Sequence, residues 1–387
     1  MNTILTPKKR LDAFVLLGEF LQNPDEQLRS LIQNAKQYNA WFTPESTAEA
    51  VSAIGKMLNR EDLGRWMKEY ESQEAGEVRK PGSWKVGKSE SQKKQIDTQI
   101  SNLKSQISNA QYAIRNTQYT NLKVGLILAG NIPLVGFLDI LCALASGHIA
   151  LIKLSSQEQK LIPYILKKLV EIEPGFDNQI QYIERLTDFD AVIATGSTNT
   201  SRYFEYYFSH VPHIIRKNRN SIAVLTGNET TDQLKALGHD IFDYYGLGCR
   251  NVSKLYVPAD YNFSPFFEAI EEFKDIADHH KYNNNYDYNK SIFLVNLDKH
   301  LDNGFLLLKK DERLASPLAV LYYEEYRDLI SVKQNLAEKD DQIQCIVAEV
   351  PLLQLSNAVG FGKTQQPKLW DYADGVNTMR FLKDLNN

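Results

Sequence analysis

The side chain best suited to covalent chemistry is a cysteine in a glycine-rich segment. Cys249 follows Gly246 and Gly248, precedes Arg250, and lies just ahead of a predicted strand, Lys254–Pro258. A thiolate is a strong nucleophile, and a nearby cation or helix N-terminus lowers the pKa of a cysteine from its usual value of about 8.5. The pattern predicts a loop thiol that can meet a ligand. The alternative, a small loop residue without chemistry, stays open.

The other two cysteines have apolar neighbours. Cys142 lies within a predicted helix and Cys345 within a predicted strand, so both are expected in the core. Three cysteines cannot form a closed disulfide framework, which favours a reducing, cytoplasmic setting.

A nucleophilic thiol needs donors for the oxyanion that develops when it attacks a carbonyl, and one donor is typically worth roughly 3 kcal/mol. Asn131 is a candidate, because it follows the predicted strand Val124–Ala129 and Gly130 permits a tight turn there. The alternative is an asparagine that satisfies its own turn.

Cofactor signals are partial, since no G-x-G-x-x-G follows any predicted strand. Lys153 ends one predicted strand, with Ser155 and Ser156 beyond it. Gly196 ends another, and Ser197 opens a helix. Backbone N–H groups at a helix start suit a phosphate, and a lysine at a strand end suits an adenosine ribose or its 2′-phosphate. A solvated lysine and an ordinary helix cap are the alternative reading.

Other motifs give weaker evidence of a functional site. Gly360–Thr364 (GFGKT) resembles the end of a phosphate-binding loop, but Asn357 stands where that loop requires glycine. No set of residues has metal-ligand spacing, so no metal is expected.

The part of the sequence before these candidate residues divides into three segments. Residues 1 to about 75 repeat apolar side chains at helical spacing. Glu77–Lys94 is polar and basic, as in a linker or exposed arm. The apolar seam Ile96–Ile114 predicts an amphipathic helix that either pairs two subunits, giving a homo-oligomer, or lies on its own domain.

From Val124 short β-rich runs alternate with helices, the pattern of a parallel sheet covered by helices. A second series follows, so we expect two α/β domains, the second beginning near Thr226. Within it the polar run Tyr282–Lys290 is expected to form a loop and Ser291–Val295 a strand.

The whole chain suits a soluble protein of two domains. Its 387 residues are 43% hydrophobic, and no apolar run is long enough to cross a membrane. The net charge of −4 with no long basic block argues against nucleic acid as a partner.

Taken in order, several segments together resemble the aldehyde dehydrogenase superfamily, and more closely the bacterial acyl-CoA reductases similar to the luminescence fatty acid reductase. They are AGNIPLVGF, IALIKLSS, ATGSTNTSR, RKNRNSIAVL, GLGCRNVSKLYVP, ASPLAVLYY and LWDYADGVNTM. The resemblance covers about residues 10 to 385. It implies that Cys249 is the nucleophile, that Asn131 helps to bind the oxyanion, and that Lys153 contacts the cofactor ribose.

Three departures from the superfamily pattern matter. Arg216 stands where aldehyde-oxidising members have the glutamate that activates water, so hydrolysis to an acid is not expected. Ser156 stands where many NAD-preferring members have a glutamate, which favours NADPH over NADH. Arg313–Pro317 replaces the segment that holds the nicotinamide ribose.

The sequence therefore predicts an aldehyde dehydrogenase-like α/β fold and an acyl-CoA reductase. Its expected parts are a helical N-terminal region (1–120), a cofactor domain (121–225), a catalytic domain (226–358) and a C-terminal segment (359–387). An acyl-CoA would be reduced to an aldehyde through a thioacyl intermediate on Cys249. The alternatives are a semialdehyde-forming reductase of acyl phosphates and a non-catalytic assembly subunit with this fold.

Overall fold

The computed structural model describes residues 5–71, 121–349 and 357–385. The predicted arm Glu77–Lys94 and the predicted seam Ile96–Ile114 lie outside the described residues. The helices are α1 Pro7–Gln22, α2 Glu26–Gln33, α3 Ala35–Tyr38, α4 Pro44–Met57, α5 Arg60–Glu71, α6 Phe137–Ala145, α7 Leu161–Ile172, α8 Thr198–Phe208, α9 Thr231–Phe242, α10 Ser264–Ile270, α11 His280–Val295, α12 Leu329–Glu338 and α13 Thr378–Asp384.

The strands are β1 Lys123–Ile127, β2 Ile149–Lys153, β3 Ile180–Tyr182, β4 Ala191–Thr195, β5 His213–Arg216, β6 Asn220–Val224, β7 Val252–Pro258, β8 Leu301–Asp302, β9 Leu307–Lys310, β10 Val320–Tyr326, β11 Ile343–Val347 and β12 Ala358–Val359. No helix among the described residues is both long and apolar enough to cross a membrane.

The amino-terminal helices begin where the sequence provides caps. The side chains of Thr6, Asp25 and Thr43 accept hydrogen bonds from backbone N–H groups of the first turns of α1, α2 and α4. Proline opens α1 and α4, where its missing N–H costs nothing. The predicted helical region is confirmed over its described part.

The first sheet has five parallel strands in the order β3-β2-β1-β4-β5. Its central strands are apolar on both faces because helices cover them. Chain order reverses between β1 and β4, so the carboxyl ends of these strands form the crevice where open α/β sheets bind ligands. The predicted parallel sheet is confirmed.

The second sheet has seven strands in the order β12-β11-β6-β7-β10-β9-β8, parallel except for the edge pair β8 and β9. β6 pairs with β7 and β11 in this sheet. The prediction that kept this strand with the first series is therefore wrong, and the two sheets part between Arg216 and Asn220. The division of the chain into domains stays a prediction.

The region expected to form a loop and a strand is one helix. α11 spans both Tyr282–Lys290 and Ser291–Val295, so both predictions are wrong. Its buried side chains are Tyr282, Tyr286, Asn289 and Phe293, which recur at helical spacing. Tyrosine rings provide most of this apolar stripe, and their hydroxyls reach polar partners such as Asp302.

The C-terminal segment connects the two halves of the molecule. Leu369, Tyr372, Met379 and Leu382 are buried in the same core as the N-terminal helices and the first sheet. The second sheet is covered by separate apolar clusters, the largest of which contains Leu237, Leu255 and Phe266. The C-terminal segment thus packs in the core of the first sheet, although in the sequence it comes after the strands of the second sheet.

Candidate active site

The loop that carries Cys249 begins with an unusual backbone conformation. Tyr244 and Tyr245 have φ of 53° and 60°, and Gly246 follows with φ of 75°. A side chain in this left-handed region costs roughly 1–2 kcal/mol per residue, so surrounding contacts must hold the turn. Among those contacts the Tyr245 ring lies 4.3 Å from that of His279. The turn delivers an exposed Cys249.

The side chain of Asn251 holds the loop that carries Cys249. Its Oδ1 accepts a hydrogen bond of 2.8 Å from the Gly248 N–H, and its Nδ2 donates to the Asp243 carbonyl at 2.8 Å. The side chain is buried, so these bonds determine where the segment between the end of α9 and β7 runs. Asn251, two residues after Cys249, thus holds the backbone that precedes Cys249.

Ser221 holds the carbonyl of Cys249 itself. Its hydroxyl donates to the Cys249 carbonyl at 2.9 Å and accepts from the Cys345 N–H at 3.1 Å. Ser221 is fully buried in β6. Neither Ser221 nor Asn251 could be predicted from the sequence. Ser221 comes beneath the loop only because β6 pairs between β7 and β11, and the bonds of Asn251 form only once the loop has folded back on itself.

Asn131 lies against the same loop. Its Nδ2 donates a 2.8 Å hydrogen bond to the carbonyl of Leu247, two residues before Cys249. An asparagine amide has two N–H groups, so the second can serve another acceptor. The structure thus brings the two predicted catalytic residues together, one from the end of β1 and one from the loop before β7.

The electrostatics of the thiol differ from the expectation of a lowered pKa. The protein packed around Cys249 raises the pKa of its thiol by desolvation, and the Arg250 cation acts in the opposite direction. Arg250 is itself engaged elsewhere, since it donates to Cys345 Sγ at 3.2 Å and to the Asp371 carbonyl at 2.8 Å. The loop therefore does not supply the lowered thiol pKa that the sequence pattern suggested.

The other two cysteines lie in the core, as predicted. Cys142 and Cys345 are buried, and burial raises the pKa of both thiols. Cys249 is the exposed one of the three. Its nucleophilic role stays a prediction.

The predicted cofactor residues lie at the carboxyl edge of the first sheet. Lys153 Nζ donates to the carbonyl of Glu184 at 3.0 Å. Ser155 contacts the turn after β1 so closely that a Cβ added at Gly130 would lie 2.6 Å from its Oγ. Ser156 is exposed beside them. A side chain at position 130 would overlap Ser155, so only glycine fits there without a shift of the neighbouring residues.

Gly196 and Ser197 directly follow strand β4 and lead into α8. The Ser197 hydroxyl caps α8 by accepting from the Thr200 N–H at 3.3 Å, as predicted. A Cβ at Gly196 would lie 3.1 Å from Thr200 Cβ. The strand end is thus packed tightly onto the helix start, and N–H groups at a helix start are the kind of donors that suit an anion.

The GFGKT segment binds a carboxylate of the protein itself. The N–H groups of Gly362 and Thr364 donate to Asp240 at 2.6 and 3.0 Å, and the Thr364 hydroxyl donates at 2.8 Å. Asp240 is buried at the end of α9. This agrees with the sequence argument against a nucleotide-binding loop. No group of three potential metal ligands occurs within 5–71, 121–349 and 357–385.

Arg216 is a buried structural residue. It forms a two-point ion pair with Asp139 of α6, at 2.6 and 3.2 Å, and donates to the Ala373 carbonyl and the Thr378 hydroxyl. All of these groups belong to the helix after β1 or to the C-terminal segment. Arg313, the other departure noted above, is exposed and pairs with Asp311.

Comparisons with known proteins agree with this geometry. Residues 109–274 match the family model described as acyl-CoA reductase (LuxC). No curated protein matches the chain significantly by sequence.

Solved structures show the fold. The chain is similar to an aldehyde dehydrogenase from Bacillus cereus, with 13% identity, coverage of 92% of this chain and 76% of the other, and a TM-score of 0.60. It is similar to the 1-pyrroline-5-carboxylate dehydrogenase of Thermus thermophilus, with 10% identity, coverage of 99% and 81%, and a TM-score of 0.60. It is also similar to an NADP-dependent glyceraldehyde-3-phosphate dehydrogenase from Bacillus halodurans in complex with NADP, with 15% identity, coverage of 92% of this chain and 79% of the other, and a TM-score of 0.59. The chain therefore has an aldehyde dehydrogenase-like fold, and its residues 109–274 are similar to the acyl-CoA reductase (LuxC) family.

Proposed function

We propose that the chain reduces an acyl-CoA to an aldehyde through a thioacyl intermediate on Cys249. The observation that supports this most is the hydrogen bond of 2.8 Å between Asn131 and the Leu247 carbonyl. It joins a residue that follows β1 to the loop that carries the exposed Cys249, which supports a role for both in one site. A nucleophile and a fixed donor for its oxyanion are the minimum that acyl transfer needs.

The residues would act in the following way. The Cys249 thiolate attacks the thioester carbonyl, and the free N–H of Asn131 stabilises the oxyanion. Collapse of the tetrahedral adduct expels CoA as a thiolate, which takes up a proton, and leaves the acyl group on sulfur. A reduced nicotinamide cofactor, when bound, supplies the hydride that converts this thioester to the aldehyde. Ser221 and Asn251 keep the loop in place.

The edge of the first sheet fits a nicotinamide dinucleotide. The N-terminal turn of α8 suits the diphosphate, and the Lys153 ammonium suits the adenosine ribose. We propose NADPH rather than NADH, because no carboxylate stands at Ser156 to repel a 2′-phosphate. The test is the ratio of kcat/KM for the two cofactors. A tenfold preference for NADH would overturn the choice.

The decisive experiment incubates the protein with acyl-CoAs of different chain length and NADPH, and follows cofactor oxidation and thiol release. Radiolabelled acyl-CoA should label the wild type and Cys142→Ala but not Cys249→Ala. Labelling of Cys249→Ala, or loss of labelling in a folded Cys142→Ala, would contradict the assignment. Turnover of an acyl phosphate with release of phosphate would favour the semialdehyde-forming alternative. No cofactor binding in a titration would favour the assembly subunit.

The acyl enzyme should be long-lived in water without reduced cofactor. Arg216 stands where an oxidising relative keeps its base, and its guanidinium is committed to Asp139. Loss of a positioned base typically costs about 10² to 10⁴ in rate. NADPH should discharge labelled acyl enzyme to aldehyde and CoA should return acyl-CoA. Release of free acid as fast as aldehyde would contradict this.

A further inference from the structure

A buried carboxylate lies behind the loop that carries Asn131. Glu158, in the connection from β2 to α7, is 3% exposed. Its Oε2 accepts a 2.8 Å hydrogen bond from the N–H of Leu134. Leu134 has a left-handed φ of 60°, and its carbonyl accepts from the Phe137 N–H at the start of α6. Glu158 therefore holds the residue at which the chain turns from the loop into the helix.

This carboxylate is costly for the fold. Its Oε1 is buried and makes no well-formed hydrogen bond among the described residues, although the Ile162 N–H near the start of α7 is close enough to stabilise the carboxylate. Glu158 also borders a small crevice lined by Leu31, Phe42 and Leu161, so its surroundings are largely apolar. A buried charge with an unsatisfied oxygen is retained at the expense of stability, which points to a role other than packing.

The held loop is the one that presents the amide donor. Asn131 lies three residues before Leu134, and its side chain is directed at the Leu247 carbonyl. The other end of the loop is tied as well, because Asn39 Nδ2 donates to the Gly130 carbonyl at 3.4 Å and to the Gln157 carbonyl at 3.5 Å. Position 131 is thus held on one side by Glu158, through Leu134, and on the other by Asn39, which bridges Gly130 and Gln157.

We propose that Glu158 is a positioning residue for acyl transfer, which fixes the Asn131–Gly136 loop through the Leu134 N–H and so keeps the Asn131 amide beside Cys249. The proposal rests on the proposed function for its catalytic part. Glu158 need not touch substrate, since it acts on the backbone that carries the donor.

Two substitutions separate this role from simple packing. Glu158→Gln keeps an oxygen that can accept from Leu134, whereas Glu158→Leu suits the apolar crevice but cannot accept. The same pair of substitutions at Glu171, which is exposed on α7, serves as the control. Hydrogen–deuterium exchange of peptides covering residues 129–137 reports the loop without reference to activity. The rate of Cys249 acylation by acyl-CoA reports the catalytic effect.

In Glu158→Leu we expect faster exchange in residues 129–137 and acylation about 10- to 100-fold slower, while Glu158→Gln stays within about threefold of the wild type. The effect should not add to that of Asn131→Ala, because both substitutions act through the Asn131 amide: one removes it and the other releases the loop that carries it. Unchanged exchange and acylation in a folded Glu158→Leu, or full additivity with Asn131→Ala, would overturn the proposal. If the wild type is not acylated by any acyl-CoA, the proposed function and the catalytic part of the inference fall together. The exchange data still decide whether Glu158 holds the loop.

Discussion

At the scale of single residues, the thiol of Cys249 should react only as pH rises into the alkaline range. Desolvation raises its pKa above the usual value of about 8.5, with Arg250 opposing the shift. The rate of alkylation by iodoacetamide, followed on the Cys249 peptide, should still increase at pH 9. Arg250→Met should move the midpoint higher, because the opposing cation is lost, while Arg313→Met at an exposed position should not. A plateau below pH 8 in the wild type would contradict this expectation.

Glu158 should make the stability of the protein depend on pH. Burial raises its pKa from about 4.5 to about 7, although backbone N–H groups of Leu134 and Ile162 lower it. Between these values the folded protein binds more protons than the unfolded chain, so the free energy of unfolding falls as pH rises through this window. Gln at this position cannot titrate. The free energy of unfolding of Glu158→Gln should therefore exceed that of the wild type by an amount that grows from pH 4.5 to pH 7. This difference should reach up to about 3 kcal/mol and stay constant above pH 7.

Denaturant titrations of both proteins at several pH values measure this difference. Glu171→Gln on the exposed face of α7 is the matched control and should show little change. A difference that shrinks as pH rises would mean that Glu158 is stabilised, not penalised, as an anion.

At the scale of elements, Arg216 joins β5, α6 and the C-terminal segment. Arg216→Glu should not create a hydrolase, because the new carboxylate would face Asp139 in a buried site. Breaking a buried pair typically costs about 3–5 kcal/mol, so we expect that loss in denaturant titrations. Replacing both partners, as in Arg216→Leu with Asp139→Leu, should recover much of the stability. Rapid release of free acid by a folded Arg216→Glu protein would contradict the structural role.

The same scale shows what the sequence can and cannot reveal. The central strands of the first sheet could be predicted because a strand that is buried on both faces has a continuous run of apolar residues. α11 was missed because its buried stripe consists mainly of tyrosines and an asparagine, which score as polar although their rings pack inside. The membership of β6 could not be predicted, since strand neighbours are determined by tertiary contacts and not by local pattern.

The candidate site divides in a similar way. Cys249, Asn131 and Lys153 could be found because each stands at a strand end or in a glycine-rich loop. Ser221, Asn251 and Glu158 could not, because their importance lies in hydrogen bonds to distant backbone groups. A buried serine in a strand has no signal of its own in one sequence.

At the scale of the whole molecule, the C-terminal segment should contribute strongly to stability. Leu382 is fully buried in the core formed with the N-terminal helices. Leu382→Ala should therefore cost about 2–5 kcal/mol in the free energy of unfolding. Ile330→Ala, at a position that is 72% exposed, is the control and should change stability by no more than about 0.5 kcal/mol. Equal effects of the two substitutions would mean that the segment is not part of the core.

The contacts of Arg250 and Arg216 also determine when the site can be completed. Arg250 donates to the Asp371 carbonyl and Arg216 to the Ala373 carbonyl, so both guanidinium groups depend on residues made after every strand of the two sheets. Synthesis proceeds from the amino end, and the earlier elements emerge first. A growing chain thus holds the loop that carries Cys249 before it has the segment that engages Arg250 beside it. The loop is made early, but its final surroundings are assembled last.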